Sequence, residues 1–151
     1  MAQTTTGMYL RTLQILHLAL VGGQAMFLLL AAGLVLSGKS PRAFVLPADT
    51  GHILVLVMYL LAFGALAAGN RLFNRKVTAL QQQPAGEGKY SSYRAATIIR
   101  YALLEAPSLI GIVLFMLTGD YVLLGVPLLV IAVFVWLRPS RKAIIRDLKP
   151  A

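Results

Sequence analysis

The chain has 151 residues, of which 58% are hydrophobic and 13% charged, and its formal net charge is +9 at pH 7. A mean hydropathy of +0.77 lies far above that of soluble domains, because a soluble core of this size cannot bury so much apolar surface. The absence of cysteine excludes disulfides, thiolate catalysis and cysteine-based metal sites. The composition therefore predicts an integral membrane protein.

Four apolar segments follow one another, each about long enough to cross a ~30 Å hydrocarbon layer at ~1.5 Å per residue. In lipid they must be helices, since an open strand would leave backbone groups without hydrogen bonds. We predict an all-α, four-helix membrane bundle forming one domain over 1–151. The predicted helices are about 12–37, 52–72, 93–118 and 121–138, and the polar interval 73–92, which contains Gly and Pro, is predicted to be a cytoplasmic loop.

The basic residues predict the topology, because Lys and Arg near helix ends remain on the cytoplasmic side. They concentrate before the first helix, between the second and third, and after the fourth; only Lys39 and Arg42 lie elsewhere. Both termini are therefore expected in the cytoplasm of a multi-pass protein, with the bacterial inner membrane as the expected location. This basic rim would attract anionic lipid headgroups without any role for nucleic acid. The expected contacts with headgroups or a partner are Arg75, Lys76, Arg141 and Lys142.

Capping residues occur near the predicted helix starts, where side-chain oxygens can accept from unpaired amides. After Pro139, Ser140 can cap a short basic helix, with Ile144 on its apolar face, that lies at the membrane interface. A basic tail that only fixes orientation is the alternative. The other expected caps are Asp49 or Thr50, Ser91 or Ser92, and Asp120.

The first and third helices align at an offset of 83 residues, for example Ala19 with Ala102 and Leu20 with Leu103. Both the second and the fourth helix precede an Arg-Lys pair. This pattern is compatible with two tandem helical hairpins that arose by duplication.

Glu105 stands near the middle of the apolar third helix, ~16 Å along the axis from Arg94. An ionisable residue at such a depth is costly and is by default a candidate functional residue. It must be protonated, paired or hydrated, and it can bind and release a proton when water or a cation reaches it. A protonated Glu105 that only hydrogen-bonds a neighbouring helix is the alternative.

Four further side chains are candidates for the same proton or ion site. Tyr101 and Ser108 lie on nearly the same helical face as Glu105, and Gln24 has a similar depth on the first helix. We expect Gln24 to reach Glu105 across the two helices, and His17, nearer the cytoplasm, to relay protons or to remain an interfacial side chain.

Pro107 is predicted to kink the third helix and to leave one carbonyl group without its donor beside Glu105. Arg100 points away from Glu105 around the helix and is expected to reach towards the cytoplasmic interface.

The second helix contains two small-residue pairs, Gly64-x-x-x-Ala68 and Ala65-x-x-x-Gly69. Small residues at this spacing allow helices to approach closely, either within the bundle or between subunits. Because four short helices hardly enclose a polar pathway, a transport role implies a homo-oligomer or a partner subunit.

Three stretches carry a resemblance: Leu13-Gln-Ile-Leu-His17-x-Ala-Leu, Tyr93-Arg-x-Ala-x-Ile-Ile-Arg100-x-Ala-Leu-Leu-Glu105, and Leu137-Arg-Pro139-Ser-Arg-Lys-x-Ile-Ile. With them the chain resembles a family of small uncharacterised bacterial four-helix membrane proteins, which implies the fold and no activity. It is more distantly similar to the proteolipid rotor subunits of rotary ATPases through its lone intramembrane Glu followed by Ala-Pro. In those subunits the carboxylate is on the second helix of a hairpin, whereas Glu105 is on the first.

No motif for an enzyme, a cofactor or a metal is recognised in the sequence. Two hypotheses remain. The first is an oligomeric membrane protein that conducts or exchanges protons or a small cation through Glu105. The second is a non-catalytic accessory or scaffold subunit that holds a partner protein or anionic lipid.

Overall fold

The computed structural model describes residues 2–41, 47–84 and 86–148, so that Arg42 of the predicted outer loop lies outside the described residues. Within these ranges the chain is helical and contains no strand, which confirms the predicted all-α class. The helices are α1 (Ala2–Leu36), α2 (Ala48–Gln81), α3 (Glu87–Thr118), α4 (Gly125–Trp136) and α5 (Arg141–Leu148), with a 3₁₀ turn (Tyr121–Leu124) before α4.

Three helices are long and apolar enough to cross a membrane: Gly7–Leu36, Asp49–Gln81 and Gly88–Thr118. A fourth qualifies only when Tyr121–Trp136 and Arg141–Leu148, which are bent by 76°, are taken together. By itself the segment Tyr121–Trp136 measures about 26 Å, slightly less than the hydrocarbon thickness. Three or four membrane-compatible helices are consistent with the predicted membrane protein.

Many large apolar side chains point away from the bundle. Leu29 and Leu60 are both mainly exposed, and Trp136 is 84% exposed. Such extensive apolar exposure is unusual for a soluble monomer and is suited to contact with lipid or with other helices.

α3 is the central helix, because it packs against α1, α2 and α4. Its neighbours meet it at three levels. The level at one end includes Met58 and Phe115, the middle level includes Leu104 and Phe134, and the third includes Tyr93. We call the third level, which also holds the α2–α3 connection and α5, the basic end.

The packing of α1 and α2 differs from that expected of two equivalent hairpins. α2 makes its most extensive contacts with α3. α1 makes its most extensive contacts with α3 and α4, and not with α2. Two similar hairpins lying side by side are therefore not seen in the described part of the chain.

The predicted loop over 73–92 is wrong in extent, because α2 continues to Gln81 and α3 begins at Glu87. Phe73, Val77 and Leu80 continue one apolar helical face and pack against Tyr93 and Ala96. This periodic packing holds the extensions helical although their exposed faces are polar. Only residues 82–86 connect the two helices.

Of the four predicted helix caps, two are confirmed and two are wrong. Asp120 Oδ1 accepts the Val122 amide at 2.9 Å, and Ser140 Oγ accepts the Ala143 amide at 3.2 Å, as predicted. α2 and α3 begin earlier than expected, after Pro47 and Gly86, without a side-chain cap. The other predicted caps therefore lie inside helices: Asp49, Thr50, Ser91 and Ser92.

The predicted C-terminal helix exists as α5, and it folds back against α2. Ile144 is buried in the core at the basic end, whereas Ile145 is half exposed. Gln81 Nε2 donates to the backbone oxygen of Asp147 at 3.1 Å, and the Tyr93 hydroxyl donates to its carboxylate at 3.0 Å. The apolar face of α5 is therefore partly covered by the bundle.

The two small-residue pairs of α2 have different surroundings. A Cβ at Gly69 would lie 3.5 Å from Arg100 Cγ, an ordinary van der Waals contact, so α2 and α3 are in contact here and alanine would also fit. Gly64 is exposed, and a Cβ there would meet nothing within 4 Å. Gly69 therefore lies in the contact between α2 and α3, whereas Gly64 faces away from the rest of the bundle.

Candidate functional site

A buried polar pair joins α1 to α3 near the middle of the bundle. Ser108 Oγ donates a hydrogen bond to Gln24 Oε1 at 3.0 Å, and the two residues are 0% and 1% exposed. Two polar side chains that satisfy one another in an apolar interior hold helices in one register.

Glu105 lies beside this pair, near enough for its carboxyl group to interact electrostatically with the Gln24 side chain. Gln24 Nε2 is buried and forms no hydrogen bond of acceptable geometry with the described residues. One half of the Gln24 amide is thus bound to Ser108, and the other half is left for Glu105. An amide can donate to an ionised carboxylate or, after rotating, accept from a protonated one. The structure brings Glu105, Gln24 and Ser108 together.

Glu105 itself is half-buried, so part of its carboxyl-bearing side chain faces the outside of the single chain. Pro107, two residues further, is fully buried within α3, and the helix runs through it as one element. A proline has no amide hydrogen, so the carbonyl group of Leu103 lacks its usual donor. The kink predicted at Pro107 stays a prediction.

Tyr101 and His17 belong to a different cluster, which Phe134 of α4 completes. The ring centroids of His17 and Tyr101 are 5.5 Å apart, and both rings pack against Phe134. The Tyr101 hydroxyl donates to the Leu137 carbonyl oxygen at 3.3 Å. His17 Nδ1 is buried without a hydrogen-bond partner in the described part of the chain.

The aromatic cluster is therefore separate from Glu105. His17 precedes Gln24 by seven residues, or ~10 Å along α1. The hydroxyl of Tyr101 is directed at the end of α4. Of the five polar residues, the structure places Glu105, Gln24 and Ser108 together and puts His17 and Tyr101 in the aromatic cluster.

A cavity of about 320 Å³ reaches His17 from the basic end. Gln14, Val21 and Arg138 line it together with His17, and Gln14 Nε2 donates to the Pro139 carbonyl oxygen at 3.4 Å. This space is large enough for several water molecules, each of which occupies ~30 Å³ in the liquid. Water in it would reach the imidazole and stop short of Glu105.

No family model, curated protein or solved structure matches this chain. The two resemblances noted in the sequence therefore rest on their motifs alone. Among the described residues, no three His, Cys, Asp or Glu side chains are grouped as a metal site would require.

The four basic residues expected to contact headgroups or a partner are exposed at the basic end. None of them forms an ion pair with another described residue. They are Arg75, Lys76, Arg141 and Lys142.

Arg100 was missed as a site residue, because its side chain was expected to reach the aqueous interface. Instead its guanidinium carbon lies 4.9 Å from the ring centroid of Phe73, and Nε is buried without an acceptor in the described part of the chain. The only sequence signal was an arginine inside an apolar helix, which by default marks a functional position.

The Gln24–Ser108 bond predicts energetic coupling between α1 and α3. In a double-mutant cycle with Gln24→Leu and Ser108→Ala, we expect a coupling free energy of about 0.6 kcal/mol, which is typical of buried bonds between membrane helices. The measurement is the free energy of unfolding of the four proteins in detergent. Strictly additive effects would contradict the bond.

Proposed function

We propose that this chain is a multi-pass protein of the bacterial inner membrane with four spanning segments, both termini in the cytoplasm and α5 at the membrane interface. The basic end would face the cytoplasm, and support comes from the positive-inside rule. Of the described Lys and Arg residues, only Lys39 lies beyond the opposite end of the bundle.

Within that membrane we infer that the protein conducts or exchanges protons, or a small cation, at Glu105. The observation that carries this proposal is that the half-buried Glu105 lies at mid-bundle beside a buried amide nitrogen without an acceptor among the described residues. Gln24 can stabilise either protonation state of Glu105, because the Ser108 hydroxyl donates to the amide oxygen in the present orientation and can accept from the amide nitrogen after rotation. A group whose two states are both tolerated in an apolar region is suited to proton exchange.

Access from the cytoplasm would begin at the 320 Å³ cavity and His17. An imidazole can accept and release a proton near neutral pH. The remaining ~10 Å between His17 and Gln24 must be crossed by water or by a rearrangement of side chains. His17 is therefore the proposed proton relay between the cavity and Gln24. The rings of Tyr101 and Phe134 pack against its imidazole and fix the position of that ring.

A homo-oligomer would complete the site, because Glu105 is partly open to the outside of a single chain. Gly22 and Gly23 of α1 are exposed, with nothing within 4 Å of an added Cβ, so a second copy can approach closely there. Enclosing Glu105 between copies would exclude lipid from the carboxyl group and leave room for a polar pathway.

An accessory or scaffold role is the second candidate, and the open Gly64-x-x-x-Ala68 face of α2 favours it. Such a subunit would hold a partner helix on that face and use its exposed basic residues for a partner or anionic lipid. Glu105 would then be a protonated side chain that only fixes helix packing.

The open Gly64-x-x-x-Ala68 face of α2 can also receive a second copy of this chain, which gives a prediction on self-association. We expect Gly64→Leu to weaken association between copies in lipid, because the added side chain prevents close approach of two helices. Ala79→Leu is the control, since Ala79 is also exposed on α2 but lies in its polar extension. The fraction of oligomer can be measured by single-molecule photobleaching in vesicles. An unchanged oligomer in the Gly64 variant would exclude this face as the contact.

Infrared titration separates the two candidate functions. We compare the carbonyl band of protonated carboxylic acids in lipid-embedded protein and in the Glu105→Gln variant, so that the difference reports Glu105 alone. For proton exchange, we expect a band that weakens as pH rises and shifts in D₂O. A band that neither titrates nor exchanges would identify a packing hydrogen bond and favour the accessory role.

A further inference from the structure

A second cavity, of about 490 Å³, lies at the basic end between α2, α3 and the segment joining α4 to α5. Glu105 does not line it. Three arginines do: Arg100 of α3, Arg138 after α4, and Arg146 of α5. Arginines from three separate parts of the chain therefore line one space.

Their charge is only partly balanced. Asp147 is the one acidic residue that lines this cavity in the described part of the chain. It accepts from Arg146 Nε at 3.1 Å and from the Tyr93 hydroxyl at 3.0 Å. Arg100 and Arg138 form no ion pair there. The cavity thus carries two positive charges more than negative ones.

Arg100 is held in position before any ligand binds. Its guanidinium group lies over the Phe73 ring, where a cation–π interaction is favourable, and its stem packs against Gly69. Nε is buried and has no acceptor among the residues that the structure describes. A buried donor without a partner costs free energy, which an anion accepting its hydrogen bond would offset.

The geometry suits a phosphate group. Arginine presents a planar fork of N–H donors that matches two phosphate oxygens, and basic pockets between membrane helices bind lipid headgroups on the cytoplasmic side. Trp136, at the end of α4, lines the cavity and is 84% exposed, as is typical of a tryptophan at a membrane boundary. The cavity and the apolar surface of α4 therefore meet at one edge.

We propose that this cavity binds the phosphate of an anionic glycerophospholipid whose acyl chains extend along the surface beside Trp136. The inference rests on the proposed membrane orientation, which puts the basic end at the cytoplasmic boundary. It does not depend on proton exchange at Glu105. It differs from general attraction to the basic rim because it requires Arg100 and Arg138.

Trp136 is the only tryptophan of the chain, so its fluorescence reports on this site. The test reconstitutes the full chain in phosphatidylcholine vesicles and adds phosphatidylglycerol with brominated chains, which quench tryptophan on contact. Brominated phosphatidylcholine is the reference. We expect half-maximal quenching at a lower mole fraction of the anionic lipid. The preference should fall roughly tenfold in Arg100→Gln/Arg138→Gln, the equivalent of one charge-assisted hydrogen bond.

A matched control removes the same charge outside the cavity, in Arg11→Gln/Arg71→Gln, since both residues are exposed and neither lines it. Its preference should remain close to that of the intact protein. Arg138→Gln alone serves if the double variant does not fold, because Arg138 is exposed beyond α4.

Three outcomes would overturn the proposal. One is equal quenching by both lipids in the intact protein, and another is an equal loss in the cavity and control variants, which indicates surface charge only. Displacement of the brominated lipid by millimolar inorganic phosphate would assign the cavity to a soluble phosphate instead. The Glu105→Gln variant should keep the lipid preference, so failure of the proton proposal and failure of this one are distinguishable.

Discussion

Replacing Glu105 by Gln is expected to reduce proton flux through reconstituted protein to the background of protein-free vesicles. Gln keeps the size of the side chain and can still hydrogen-bond to Gln24, but it cannot bind and release a proton. The measurement is the change of internal pH in proteoliposomes under an imposed pH gradient and membrane potential. Because the substitution conserves shape, the proposed oligomer should stay intact.

The control for this variant is Asp49→Asn, which removes a carboxylate from the exposed start of α2 and should leave flux unchanged. Flux in the Glu105→Gln protein equal to that of the intact protein would exclude this carboxyl group as the exchanging residue. A loss of flux accompanied by dissociation of the oligomer would instead indicate a packing role.

Gly125→Ala is expected to destabilise the bundle by about 2 kcal/mol, within the usual range for overpacking. A Cβ at Gly125 would overlap the Tyr59 hydroxyl oxygen and lie 3.1 Å from the ring carbon Cζ. Tyr59 of α2 is half-buried, so its ring must move for α4 to keep its place. The measurement is the free energy of unfolding in mixed micelles.

Gly64→Ala adds the same methyl group on α2 where nothing lies within 4 Å, and it should leave the free energy of unfolding nearly unchanged. In the Gly125→Ala background, Tyr59→Leu should recover part of the loss because it removes the overlapping hydroxyl and ring carbon. Equal stability of the Gly125 and Gly64 variants would contradict the contact between α2 and α4.

Sequence reasoning predicted helices where apolar residues run continuously, because hydropathy is a local property. The end of α3 at Thr118 and the new helical turn at Tyr121 agree with the predicted boundaries. Between them, Gly119 supplies the positive φ of 73° that the tight turn requires. The helical extensions between 73 and 92 were missed. Their stability depends on packing between Val77 and Tyr93, which mean hydropathy does not report.

The candidate site likewise contains residues that the sequence predicts and residues that only tertiary packing brings together. The depth of Gln24 was predictable, since the rise per residue fixes how far along α1 it lies. Helical spacing also predicted that Tyr101 belongs to the site of Glu105. Its ring packs against α4 instead, and spacing along one helix contains no information on a neighbouring helix. The three-arginine cavity needed the 76° bend that carries α5 back over α2 and α3. Such a tertiary arrangement is not encoded in any short motif.

The most direct test of proton conduction is the reversal potential of the current carried by the intact protein in a planar bilayer. With unequal pH and equal potassium on the two sides, the proposed function predicts a reversal potential that follows the proton gradient. When potassium is varied at equal pH, the reversal potential should stay at zero, and a shift with potassium would indicate a cation pathway instead. Current no greater than that of a protein-free bilayer would contradict the conducting role and favour the accessory subunit.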